Sequence, residues 1–244
     1  IDILSPAKGL IITLEDSIFR ETPGGRLSSN IDDWSVEKIK RMGGDAVKVL
    51  AWYRPDAEAS VNTAQQDYVK RIGEDCARHD IPFLFELLVY PLAGDADQTK
   101  DYVEMKGKKA DHVLASVEEF AKPDYGVDVF KLESPVSARD ADGSAEVQAI
   151  FDEMGRLAGR PWVMLSAGAG KSEFRAVLEH AFAKLKQLRA ALICGQGLLE
   201  RKIAALHFFD QFIQLRECGF KVFGNGGAGG FWHGGAASKI NPES

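Results

Sequence analysis

Three charged side chains sit where charge is expensive to bury. The runs DAVKVLAWY (Asp45 to Tyr53), PFLFELLVY (Pro82 to Tyr90) and VDVFKLESP (Val127 to Pro135) are apolar and strand-like. Each has a charge near its middle: Lys48, Glu86 and Lys131. Alternate side chains of an extended strand share a face, so Val127, Val129, Lys131 and Glu133 point one way and Asp128, Phe130 and Leu132 the other. An ion inside such a face is costly unless something pairs it or uses it.

Two readings compete. The structural one is an ion pair across neighbouring strands, with Glu86 neutralising a lysine. The chemical one is more specific. A lysine becomes a nucleophile towards a carbonyl when burial and a nearby cation disfavour its protonated form, and Lys48 beside Lys131 would supply that cation. An imine on Lys131 would then act as an electron sink. Glu86 would move the proton of the hydroxyl whose carbon–carbon bond breaks. Recurrence of the pattern in three consecutive runs favours the chemical reading.

The elements that must hold these residues alternate strictly. GLIITLED (Gly9 to Asp16) reads as a strand and residues 17 to 34 as turn-rich; Asp33 or Ser35 caps a helix that ends at Gly43-Gly44. A helix near 62–79 shows Ala64, Tyr68, Ile72 and Cys76 on one face. Helices near 108–121 and 144–158 separate the second, third and fourth charged or apolar runs, and PWVMLSAG (161–168) is the next strand. A helix through Phe174 to Phe182, a short strand ALICG (191–195) and a helical pattern to about residue 217 complete the series. Strand and helix in turn predict a parallel sheet, and charges inside three adjacent strands favour a closed (β/α)8 barrel over an open sheet. The whole of 1–244 reads as one such domain, with six strands where a closed barrel has eight and a glycine-rich tail at 224–235.

Other signals are weaker. Gly224, Gly226 and Gly229 spell a G-x-G-x-x-G, but Phe-Trp-His-Gly-Gly follows where a dinucleotide site needs a helix. GAGKS (Gly168 to Ser172) opens a helix after a strand, yet Leu165 stands where a phosphate loop has its first glycine. One phosphate could still sit on that helix N-terminus. His79, His112, His180, His207 and His233 have no metal-ligand spacing, so no metal and no cofactor is expected. Cys76, Cys194 and Cys218 read as reduced thiols. A net charge of −6 argues against nucleic acid or a membrane surface as partner, and the absence of an apolar window of membrane-spanning length makes the cytoplasm the default compartment.

These stretches resemble the class I tagatose-1,6-bisphosphate aldolases of the LacD type, whose relatives include the sulfofructose-phosphate aldolases. The resemblance covers about residues 5 to 182. It rests on GLIITLED, DDWSVEKIKRMGGDAVKVLAWY, IPFLFELLVY, YGVDVFKLESPV and PWVMLSAG in that order. It implies a (β/α)8 barrel that begins here at its third strand, without the first two. It also implies a metal-free lyase that splits a ketohexose bisphosphate into dihydroxyacetone phosphate and glyceraldehyde 3-phosphate. On this resemblance Lys131 forms the Schiff base, Glu86 is the acid/base and Lys48 lies beside them. Ser166, Ala167 and Gly168 would hold a substrate phosphate, with Gly195 at the second phosphate site. There the family has Gly-Arg and this chain has Gly195-Gln196. The expected partner is a phosphorylated sugar, and a homo-oligomer is compatible with all of this. A sulfo-sugar aldolase, a sugar-phosphate-binding barrel without catalysis, and a nucleotide hydrolase at Gly168 to Ser172 are the rival expectations.

Overall fold

The computed structural model describes residues 9–92, 94–95 and 110–183. Five strands form one parallel sheet: β1 (Ile11–Thr13), β4 (Ala46–Trp52), β5 (Phe83–Leu88), β6 (Val129–Leu132) and β7 (Trp162–Met164), side by side in chain order. Between β1 and β4 lie a small antiparallel hairpin, β2 (Arg20–Thr22) and β3 (Gly25–Leu27), and helix α1 (Val36–Arg41). Helices α2 (Ala59–Arg78), α3 (Ala110–Phe120), α4 (Ala145–Ala158) and α5 (Lys171–Ala181) each follow a sheet strand. A doubly wound sheet reverses its strand order at a switch point. This sheet never reverses, which is the progression of a (β/α)8 barrel, and the described residues form a five-strand arc of that architecture.

The two faces of the arc differ. Val47, Val49, Ala51, Phe83, Phe85, Leu87, Phe130 and Leu132 join one core with buried residues of the helices, among them Val69, Ile72, Val117, Phe120, Phe151, Met154 and Val177. The opposite, lumen-side face carries Lys48, Leu50, Trp52, Leu84, Glu86, Leu88, Val129 and Lys131. That face has its own apolar cluster of Leu50, Trp52, Leu88 and Tyr90. Ser35, not Asp33, caps α1, its hydroxyl accepting from the Lys38 N–H at 3.2 Å. Ser144 does the same for α4, accepting from Val147 at 3.3 Å.

Three expectations need correction. The turn-rich stretch 17 to 34 also holds strands that were not expected, the β2–β3 hairpin. It is fastened by Arg26, whose backbone N–H donates to the Tyr90 hydroxyl at 3.1 Å. The Arg26 guanidinium lies 4.2, 4.9 and 5.1 Å from the ring centres of Phe19, Trp52 and Tyr90. On α2 the buried stripe runs through Val61, Gln65, Tyr68, Val69, Ile72, Gly73 and Cys76, and Ala64 is exposed. Gly73 is there because helix and turn touch: a Cβ on it would meet the Tyr125 carbonyl oxygen at 2.0 Å. Finally, the strands are shorter than the apolar runs that announced them. The expected strand at 191–195 and the tail at 224–235 lie outside the described residues.

Candidate active site

Register brings the three charged residues together. Glu86 is paired with Lys131 across the β5–β6 ladder and with Leu50 across β4–β5. Lys48 lies one pleat before Leu50, on the same face. The Glu86 carboxylate thereby reaches both lysines: Oε2 is 2.8 Å from Lys48 Nζ and Oε1 is 3.0 Å from Lys131 Nζ. A fourth group completes the row. Glu15, just beyond β1, forms a close ion pair with Lys48, and its other oxygen accepts from the Thr13 hydroxyl at 2.6 Å. Charges of alternating sign therefore cross four adjacent strands in the order Glu15, Lys48, Glu86, Lys131.

Glu86 and Glu15 are 1% and 4% exposed, so neither could stay ionised here without a cation. Burial alone would raise the Glu86 carboxyl, but Lys48 and Lys131 outweigh it and hold that carboxyl below the ordinary glutamate range. Burial likewise works against the Lys48 ammonium. Glu86 and then Glu15 overcome it and hold Lys48 protonated well above the ordinary lysine range. At Glu15 burial wins: its carboxyl is pushed up, with Lys48 and the Thr13 hydroxyl opposing. Lys48 is thus a fixed cation clamped by two carboxylates. Lys131 touches one carboxylate, and its side chain is 30% exposed against 18% for Lys48.

The expected pair of lysines is therefore linked through Glu86, each ammonium on a different carboxylate oxygen. Glu15 was missed from sequence. Its only signal was the acid at the end of GLIITLED, which reads as a solvated strand end. Ser166, Ala167 and Gly168 lie just past β7, the strand next to the one carrying Lys131. They form a tight turn, with Ala169 N–H donating to Ser166 O at 2.8 Å and with Ala167 and Gly168 at φ 44° and 78°. Helix α5 opens directly after it. The Gly170 N–H at that N-terminus is taken by Glu173 at 3.1 Å, which places a carboxylate where a nucleotide phosphate loop needs free donors. Gly195 and Gln196 lie outside the described residues. Among the described residues no three His, Cys, Asp or Glu side chains are grouped as a metal site, and no helix is long and apolar enough to cross a membrane.

Comparison with known proteins bears on the family and the fold. The model of the DeoC/LacD family aldolases matches residues 9–200. The chain belongs to that family. It is 35% identical over 198 residues to the tagatose 1,6-diphosphate aldolase of Listeria monocytogenes, covering 78% of this chain and 57% of that protein. It is 30% identical over 224 residues to the protein of the same name from Streptococcus pneumoniae, covering 88% and 67%. The chain thus spans a little over half the length of the first of these relatives. In fold it is similar to the fructose-bisphosphate aldolase from Slackia heliotrinireducens, with a TM-score of 0.52 at 11% identity, covering 72% of this chain and 52% of that one.

Proposed function

We propose that this chain carries a class I, Schiff-base-forming aldolase centre in which Lys131 is the nucleophile, Glu86 the proton carrier and Lys48 a fixed cation. The observation that carries the reading is Glu86, almost fully buried and bridging two lysines of unequal exposure. For attack on a ketose carbonyl the Lys131 ammonium must lose a proton, and Glu86 at 3.0 Å is within reach to take it. The amine adds to the carbonyl carbon, Glu86 returns the proton to the carbinolamine hydroxyl, water leaves, and an iminium results. A base then removes the proton from the hydroxyl two carbons away. The intervening carbon–carbon bond breaks, its electrons enter the iminium to form an enamine, and an aldehyde leaves. Protonation of the enamine and hydrolysis return dihydroxyacetone phosphate and free Lys131. Lys48 keeps Glu86 anionic between these proton movements and offers a cation to substrate oxygens.

The substrate in this proposal is a phosphorylated ketose, with tagatose 1,6-bisphosphate first because the relatives from Listeria monocytogenes and Streptococcus pneumoniae bear that name. Glyceraldehyde 3-phosphate is then the aldehyde product. The turn of Ser166, Ala167 and Gly168 is proposed for a phosphate, with Gly195 assigned to the second phosphate by family resemblance alone. Borohydride reduction with dihydroxyacetone phosphate, followed by peptide mass mapping of the full-length protein, tests the assignment. A stable adduct on Lys131 is expected. An adduct on Lys48 would exchange the two lysine roles, and no adduct on folded protein would overturn the aldolase reading.

A further inference from the structure

We infer that Glu133 is a positioning residue for the Lys131–Glu86 pair, acting through a clamp between the ends of the two strands that carry them. The inference rests on the aldolase reading of that pair. The β5–β6 ladder ends at Leu87 and Leu132. Beyond it the backbone of β5 continues as buried Val89, whose N–H must find an acceptor. No β6 carbonyl supplies it. The Glu133 carboxylate does, its Oε1 accepting from Val89 N–H at 2.6 Å. Glu133 is itself only 3% exposed, so the bond is made away from solvent.

The clamp closes a ring around the reacting pair. Val89 lies three residues past Glu86, and Glu133 lies two past Lys131. One side of the ring is therefore the Val89–Glu133 bond and the other is the 3.0 Å contact of Lys131 Nζ with Glu86 Oε1. By strand alternation Glu133 also shares the Lys131 face. Losing the clamp frees the strand ends to part at the mouth of the lumen, and one ladder pair, Leu87 and Leu132, separates that opening from the contact between nucleophile and proton carrier. Misplacement of about 1 Å at such a centre costs on the order of a hundredfold in rate.

Two variants of the full-length protein separate reach from charge. Glu133→Asp keeps the charge but shortens the arm by about 1.5 Å, one carbon–carbon bond, and so cannot reach Val89. Glu133→Gln keeps the reach and an acceptor oxygen but removes the charge. Steady-state cleavage of the phosphorylated ketose is measured against pH, with thermal unfolding of each variant alongside. The clamp predicts that Glu133→Asp loses about ten- to a hundredfold in kcat. Its acid limb should also move to higher pH, because Lys131 loses part of its hold on the Glu86 carboxyl, which then takes up a proton more readily. Glu133→Gln should keep the wild-type limb and a kcat near wild type. A reversed order, with Glu133→Gln impaired and Glu133→Asp normal, would show that charge rather than reach matters and overturn the inference. So would two variants that both behave as wild type, or a Glu133→Asp loss that follows unfolding alone with an unmoved limb. A wild-type protein with neither cleavage nor a trapped Lys131 adduct would instead overturn the aldolase reading, a failure distinct from that of the clamp.

Discussion

Replacing Lys48 by methionine removes the cation that two buried carboxylates, Glu15 and Glu86, share among the described residues. Glu86 keeps Lys131 at 3.0 Å, while Glu15 keeps only the Thr13 hydroxyl among the partners described for its side chain. Breaking a buried pair by deleting one partner typically costs about 3–5 kcal/mol, because the other charge stays buried and uncompensated. For a chain of this size each kcal/mol is about 2–4 °C in Tm, so the variant should melt roughly 6–20 °C below wild type at neutral pH. The pH dependence has a definite sign. In the wild type the folded Glu86 carboxyl is depressed, so its contribution is present above the unfolded value of 4.5 and is lost as pH falls through the folded one. Without Lys48 that depression weakens, and the Glu15 carboxyl, already raised by burial, rises further and takes up a proton more readily. The gap between variant and wild type should therefore be widest near pH 7 and narrow in acid. Adding Glu15→Gln to Lys48→Met should recover part of the loss, since it removes the orphaned anion. Urea unfolding of the four proteins of this double-mutant cycle at two pH values supplies the measurement. Losses that simply add, or a gap that does not change with pH, would refute Lys48 as the shared counter-ion.

Two further predictions address neighbouring links of the argument. Glu86→Gln should lower kcat by about 10²–10⁴, the range for loss of a positioned proton carrier, while borohydride still traps an adduct on Lys131; full activity in steady-state assays would remove Glu86 from the chemistry. Gly73→Ala should destabilise by at least about 2–3 kcal/mol in denaturant unfolding, because its Cβ would meet the Tyr125 carbonyl oxygen at 2.0 Å and force α2 away from the turn beneath it; an unchanged midpoint would contradict that packing.

What could be read from the sequence follows from where information is local. Lys48, Glu86 and Lys131 stood out because a charge in an apolar run breaks a period of two, and the structure does bring their side chains together. Glu15 did not stand out, because an acid at a strand end looks solvated. Its partner lies 33 residues away, and only the parallel pairing of β1 with β4 brings Lys48 to it. The hairpin was missed because its strands have three residues each and surround Pro23-Gly24, which reads as turn. On α2 the error was one of phase. Stepping four residues advances 400° around a helix of 3.6 residues per turn, so a row from Cys76 back to Ala64 drifts off the buried stripe. Gln65 took the inner place because it can satisfy itself there, accepting from Ser28 N–H at 2.8 Å and donating to Trp52 O at 2.7 Å.

The roles proposed for the two lysines follow from an asymmetry that residue type alone does not contain. An amine must shed its proton before it can attack a carbonyl. If Lys48 did so, Glu15 and Glu86 would both lose a cation inside a face where each is almost fully buried. If Lys131 does so, Glu86 still has Lys48 at 2.8 Å, and Glu15 is untouched. The proton can pass to Glu86 and from there to the hydroxyl that leaves as water, and iminium formation restores a positive charge at the same nitrogen, so the row Glu15, Lys48, Glu86, Lys131 returns to alternating sign. Access points the same way, because the Lys131 side chain is the more exposed of the two. In this proposal Lys48, held by two carboxylates, is the fixed cation that keeps Glu86 an anion, and Lys131, with one ion-pair partner among the described residues, is the amine that reacts. A strand of this sheet tolerates its buried lysine because the next strand supplies the carboxylate, and the same pairing sets Lys131 beside the base to which, in the reaction proposed here, it gives up its proton.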